Sequence, residues 1–131
     1  VAVPVLLARL LFSALFILSG VGHLTQSASM AQYAAAKGVP APRLAVLATG
    51  VMLVLGGLSV LLGLYVSVGA LLLVVFLLPT AFLMHNFWTV EDPQARQNDQ
   101  IHFMKDLALA GAAFLIWYFW GLVDVPLSIT P

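Results

Sequence analysis

Six of the ten charged side chains and two of the three histidines fall in one stretch, from His85 to Asp106, which reads HNFWTVEDPQARQNDQIHFMKD. Imidazole donates, accepts and relays protons near neutral pH, and a carboxylate beside it can fix its tautomer or take its proton. His85, His102 and Asp106 are therefore the candidate catalytic groups. A flat carbonyl-bearing ring such as a quinone needs a donor at each oxygen, a proton route to water and an apolar slot. His23, His85, His102 and Lys105 could supply the polar contacts, with Trp88 and Phe103 as walls of the slot. The same residues have a plainer use, which is to cap helix ends and hydrate an interface. A metal site is the weaker alternative, because the histidines lack the helical i, i+4 spacing and would have to converge from three helices. A haem is weaker still, since its ligands would need to lie deeper than helix ends. No metal ligand is assigned.

What must position these residues is apolar. Of 131 residues, 63% are hydrophobic and 8% charged, far from the roughly 45–50% and 25% of soluble chains. The reading is an all-α integral membrane protein. Five basic and five acidic residues cancel, which leaves no basic patch for nucleic acid. With no cysteine, thiol catalysis, CxxC redox pairs and cluster ligation are excluded, and any electron transfer requires a bound cofactor or a partner subunit.

Four spans are expected, near residues 4–24, 44–62, 66–87 and 101–123. The first apolar run, about 20 residues long, exceeds the 7–15 of a signal-peptide core and reads as a retained span. Along it Arg9, Ser13, Phe16, Gly20 and His23 follow spacings of three and four and form one stripe, which should face protein. Arg9 either snorkels to the near surface or is held inside the bundle. Residues 25–43 should form a polar connection with a short amphipathic surface helix, capped by Ser27 or Ser29 and stopped at Gly38, with Tyr33 at headgroup level. An ordinary loop would serve as well.

Residues 44–84 carry no charge, about twice the length of one span, so they must double back, and Gly63-Leu64-Tyr65 is the only plausible turn. The glycines at 50, 56, 57, 63 and 69 read as packing residues. Pro79 should kink the third span and free a carbonyl near Val75, which is usually structural but can also open a cavity beside His85. The last helix is expected to start near 99–101 and to carry His102, Asp106, Leu109, Ala113, Trp117, Trp120 and Asp124 on one face. Its late aromatics, Trp117 to Trp120, suit an interfacial belt.

Four spans put both termini on one side and both polar connections on the other. His23, His85, His102 and Asp106 then share one depth at the loop side. Arg9 and Asp124 lie level at the other side and could pair. Lys37, Arg43, Arg96 and Lys105 against Arg9 alone place the loops 25–43 and 88–100 in the cytoplasm. The segment EDPQARQND is either a solvated turn or a docking surface for a soluble partner.

In order and spacing, the sequence resembles the DoxX family (the DoxX/DoxD-like superfamily) of small bacterial and archaeal membrane proteins. The carriers are Arg9, Phe12, Phe16 and Ser19-Gly20-x-x-His23-Leu24, then Tyr33 with Gly38-Val39-Pro40, then Gly50 and Gly56-Gly57, then His85-Asn86-Phe87-Trp88. To these is added Gln100-Ile101-His102-Phe103-Met104-Lys105-Asp106-Leu107-Ala108-Leu109-Ala110-Gly111, in which Asp106 stands where the family leads one to expect Asn. The resemblance implies a four-helix transmembrane bundle over essentially the whole chain, in a cell inner membrane. Members are similar to the small subunit of a thiosulfate:quinone oxidoreductase, to membrane oxidoreductase components linked to redox stress and, more distantly, to cargo-receptor and maturation proteins. The function expected is a membrane subunit of an oxidoreductase or respiratory-type complex, with quinone as cofactor and membrane lipids and other redox subunits as partners. The alternative is a structural accessory subunit or assembly factor with no chemistry of its own.

Overall fold

In a computed structural model, which describes residues 2–130, the chain forms five helices: α1 (Ala2–Thr25), α2 (Ser27–Ala36), α3 (Pro42–Leu62), α4 (Val66–Met84) and α5 (Pro93–Trp120). A 3-10 turn at Phe87–Thr89 joins α4 to α5. Helices α1, α3 and α4 through the 3-10 turn, and α5, are each long and apolar enough to cross a membrane, whereas α2 is not. The molecule is a four-span helical membrane protein. Its hairpin turns where the uncharged run has its glycine break. α3 ends at Leu62, Gly63 adopts a left-handed φ of 66°, and α4 begins at Val66.

The helices pack in the order α1, α3, α4, α5, with α2 laid across α3. The buried face of α1 is the stripe Arg9, Ser13, Phe16 and Gly20. It crosses α3 so closely that a Cβ on Gly20 would stand 2.8 Å from the Gly50 carbonyl oxygen, and one on Gly50 would stand 2.7 Å from the His23 Cβ. In lipid, where apolar burial gives helices little reason to associate, such backbone approach is what dispersion requires. Phe16, Leu53, Leu73, Leu77 and Ala113 fill the centre. α1 and α5 do not pack backbone to backbone; side chains such as Phe12, Phe16, Leu109 and Ile116 bridge their seam.

Several boundaries differ from the sequence expectation. α5 starts at Pro93 rather than near 99–101, because Asp92 caps it: its Oδ2 accepts the Ala95 N–H at 2.9 Å, with Pro93 in the first turn. α4 stops at Met84 instead of residue 87, and the chain turns where His85 and Asn86 leave the apolar run. α2 has Gln26 at its N-cap, with no side-chain cap from Ser27 or Ser29. Its end is as expected, with Gly38 at φ 83° and the Val39 N–H bonded to the Ala34 carbonyl at 3.1 Å. α2 buries Ala31 and Ala34 against Val46 of α3, with Met84 of α4 packed beside them, so it is docked on the bundle.

Arg9 does not pair with Asp124, which is exposed. The guanidinium is 4% exposed and donates to four carbonyls: Val60 at 3.2 Å, Leu61 at 2.7 Å, Pro126 at 2.8 Å and Leu127 at 3.0 Å. These include two of the carbonyls that the end of α3 leaves without helical partners. The neighbouring ones are also satisfied, Ser59 O by Leu64 N, Leu62 O by Ile129 N and Gly63 O by Thr130 N. The tail after α5 thus folds back over the α3–α4 turn, and Arg9 holds both. Trp120 lies under the guanidinium at 5.4 Å, so of the late aromatics it is a packing residue, while Trp117, Tyr118 and Phe119 remain exposed.

Candidate functional site

Helix α5 sets the site's geometry. Because it starts at Pro93, Asp99 lies two turns inside the helix, and Asp99 and Asp106, seven residues apart, share a face about 10 Å apart along the axis. His85, just past the end of α4, fits between them. Its Nδ1 lies 3.3 Å from Asp99 Oδ1 and its Nε2 lies 3.7 Å from Asp106 Oδ2. The first is a hydrogen bond, and the second is an ion-pair distance slightly beyond one. Asp106 is 5% exposed and Asp99 9%. Asp99 spends its other oxygen on Lys37 at the end of α2, whose Nζ lies 3.1 Å from Oδ2 and 3.1 Å from the side-chain oxygen of Asn86. One lysine thus ties α2 to the loop and to α5. Tyr33 flanks this cluster, its ring 5.8 Å from the Lys37 Nζ. Burial first, then the Asp99 carboxylate, push the Tyr33 phenol above its ordinary value, which keeps it a neutral donor.

Inward of His85 opens a cavity of about 580 Å³, bounded by α1, α2, α3, α4 and α5 along the seam where α1 and α5 stand apart. Its charged and imidazole groups are His23, His85, Lys105 and Asp106, joined by Tyr33 and the hydroxyls of Ser19, Thr49 and Thr80, and its apolar wall includes Phe16, Phe76, Leu77 and Leu109. Pro79 and Val75 also line it, and a proline there removes the N–H that would have taken the Val75 carbonyl. His23 bonds through Nδ1 to the Val46 carbonyl and to Thr49 Oγ1, both at 3.1 Å, while the Thr49 hydroxyl donates to Ala45 at 2.7 Å. That network assigns the ring proton to Nδ1 and leaves Nε2 as an acceptor.

The remaining candidates are placed elsewhere. His102 is exposed and stands outside the cavity, stacked on the His85 ring with centroids 5.0 Å apart, and its Nδ1 takes a hydrogen bond from Lys105 Nζ at 3.3 Å. Trp88 and Phe103 do not wall the slot. Since α4 ends at Met84, Trp88 is carried onto the 3-10 turn, where it meets Phe103 edge to face at 5.5 Å in a cluster with Phe82 and Phe87. Phe16 and Phe76 stand where those walls were expected. Asp99 and Lys37 are the residues that the sequence reading passed over. The signal for Asp99 was its seven-residue spacing from Asp106, visible once Asp92-Pro93 is read as a helix start.

Buried carboxylates on either side of an imidazole, at the mouth of an apolar cavity, can hold a proton and hand it on, and can orient a hydrogen bond toward a bound ring. No curated protein and no solved structure matches this chain. The family model DoxX matches residues 4–86, which takes in α1 to α4 and stops just past His85. With more than half of its length covered, the chain belongs to the DoxX family.

Proposed function

We propose that the cavity receives the headgroup of a quinone, and that the protein is the quinone-facing membrane subunit of an oxidoreductase or respiratory-type electron-transfer complex whose electrons come from a partner redox subunit. The observation that carries this reading is the cavity itself: about 580 Å³, apolar on most of its wall, with His85 and Asp106 on one side and His23 on another. That size lies within the 300–1,000 Å³ usual for small-molecule sites, and the mixture of apolar wall and few polar groups is what such ligands need. In this role a protonated Asp106 donates to a ring oxygen, His85 behind it supplies or takes the proton, and the Nε2 lone pair of His23 suits a hydroxyl. A bound quinone would supply the two-electron redox chemistry, while the protein supplies orientation, exclusion of water and the proton.

The test is binding of a short-tailed quinone to the protein in lipid nanodiscs. Saturable binding that Asp106→Ala weakens on the order of tenfold, the loss of one good hydrogen bond, supports the reading. Equal partition into protein-containing and empty nanodiscs would refute it and favour the structural accessory role.

A further inference from the structure

Both ring nitrogens of His85 face a carboxylate, and the two carboxylates lie at opposite ends of a path. Asp99, at the rim, is bonded to Lys37 at 3.1 Å, and Asp106 lines the cavity. We propose that Asp99, His85 and Asp106 form a proton wire from the loop-side surface to the cavity wall, with Asp99 as the entry group and Lys37 as the residue that positions it. Only the consumer of the proton rests on the quinone reading, since the wire stands on the two contacts of the ring.

A neutral imidazole carries a proton on one nitrogen and a lone pair on the other. A proton arriving on Asp99 passes to Nδ1, forming one N–H bond, as the proton on Nε2 leaves to Asp106 Oδ2, breaking another. One proton enters at Asp99, one rests on Asp106, and no electron moves. The ring is reset by flipping or by the reverse transfer. The 3.3 Å contact is already a hydrogen bond, and the 3.7 Å contact closes with a small rotation of the Asp106 carboxylate. The other charged and titratable groups nearby do not compete. His102 covers a face of the ring and not its N–H directions, Lys105 is bonded to His102, Lys37 is engaged by Asp99 and Asn86, Tyr33 faces both Lys37 and Asp99 as a neutral phenol, and His23 is bonded to α3. Asp99 lies two turns inside α5 and Asp106 about 10 Å further along its axis, so one imidazole is enough to bridge them.

The experiment uses the full chain in nanodiscs without quinone. The pH is dropped rapidly from alkaline to mildly acidic, and the carboxyl C=O stretch is followed by time-resolved infrared spectroscopy, the Asp106 band being identified by its loss in Asp106→Asn. Asp99→Asn and His85→Gln should each slow that band on the order of 100-fold, the lower end of what a positioned acid–base group contributes. Asp99→Glu should restore the rate, and Lys37→Gln should slow it less than Asp99→Asn. If Asp99→Asn fails to fold by circular dichroism, His85→Gln decides. Unchanged rates in the folded variants, or no Asp106 band at all, would overturn the wire. With no quinone present, a protein that fails to bind quinone but shows the slowed band keeps the wire and loses the cavity's assignment, and the converse result separates them the other way.

Discussion

Arg9→Leu removes the tie between the end of α3 and the C-terminal tail. Four carbonyls lose their donor: Val60, Leu61, Pro126 and Leu127. Hydrogen bonds to a charged group contribute about 1.5 kcal/mol each at the low end, roughly 6 kcal/mol for the set. About half of that is offset, because leucine leaves no buried cation to desolvate and carbonyls near the membrane face regain water, so the expected loss is about 3 kcal/mol. Arg9→Lys should fall between, since one ammonium can reach the α3 carbonyls or the tail but not both sets in the fork geometry of arginine. Unfolding in mixed micelles with rising SDS, read by circular dichroism, measures all three. Asp124→Asn serves as the control and should lie within ~0.5 kcal/mol of wild type, because the Asp124 side chain is exposed and accepts nothing from Arg9. An Arg9→Leu protein as stable as wild type, or an Asp124→Asn protein as damaged as Arg9→Leu, would refute the carbonyl tie.

Lys37→Met should free α2 from α5 and cost about 1–3 kcal/mol, between the values for exposed and buried pairs, with amide exchange rising in residues 27–36 before the rest of the molecule. Gly50→Val places a branched side chain where a Cβ alone already meets the His23 Cβ at 2.7 Å, so α1 and α3 should separate; a loss of about 1–3 kcal/mol in the same SDS titration, with a displaced His23 ring resonance, is the expected outcome. We propose that the excess of Lys and Arg on the loop side sets the orientation, so cysteines placed in residues 88–100 should resist an impermeant thiol reagent in intact cells, and rapid labelling would reverse it.

The spans were readable because a membrane imposes length and hydropathy on each helix. The hairpin at Gly63 was readable because an uncharged run of that length has to turn somewhere. The buried stripe of α1 followed from helical spacing alone, down to Arg9. The partner of Arg9 did not, because backbone carbonyls carry no signature in a side-chain pattern, and a carboxylate at matching depth looked like the better match. An acidic residue suits the positive end of a helix dipole, which favours a start near 99–101, but Asp92-Pro93 marks the start two turns earlier, and only that start aligns Asp99 with Asp106 around His85. Trp88 and Phe103 could wall the slot only if the third span ran on to residue 87. Once it ends at Met84, the aromatics pack on one another and Phe16 and Phe76 line the cavity instead.

Photolabelling with an azido-quinone in nanodiscs, followed by peptide mapping, asks directly whether the seam between α1 and α5 is a quinone site. A quinone headgroup in the cavity should place labels on lining residues such as Met52, Phe76, Met84 and Leu109, protected by excess unlabelled quinone and reduced in Asp106→Ala. Labels spread over lipid-facing residues such as Leu11, Leu18, Leu55 and Leu115, without protection by excess quinone, would contradict it.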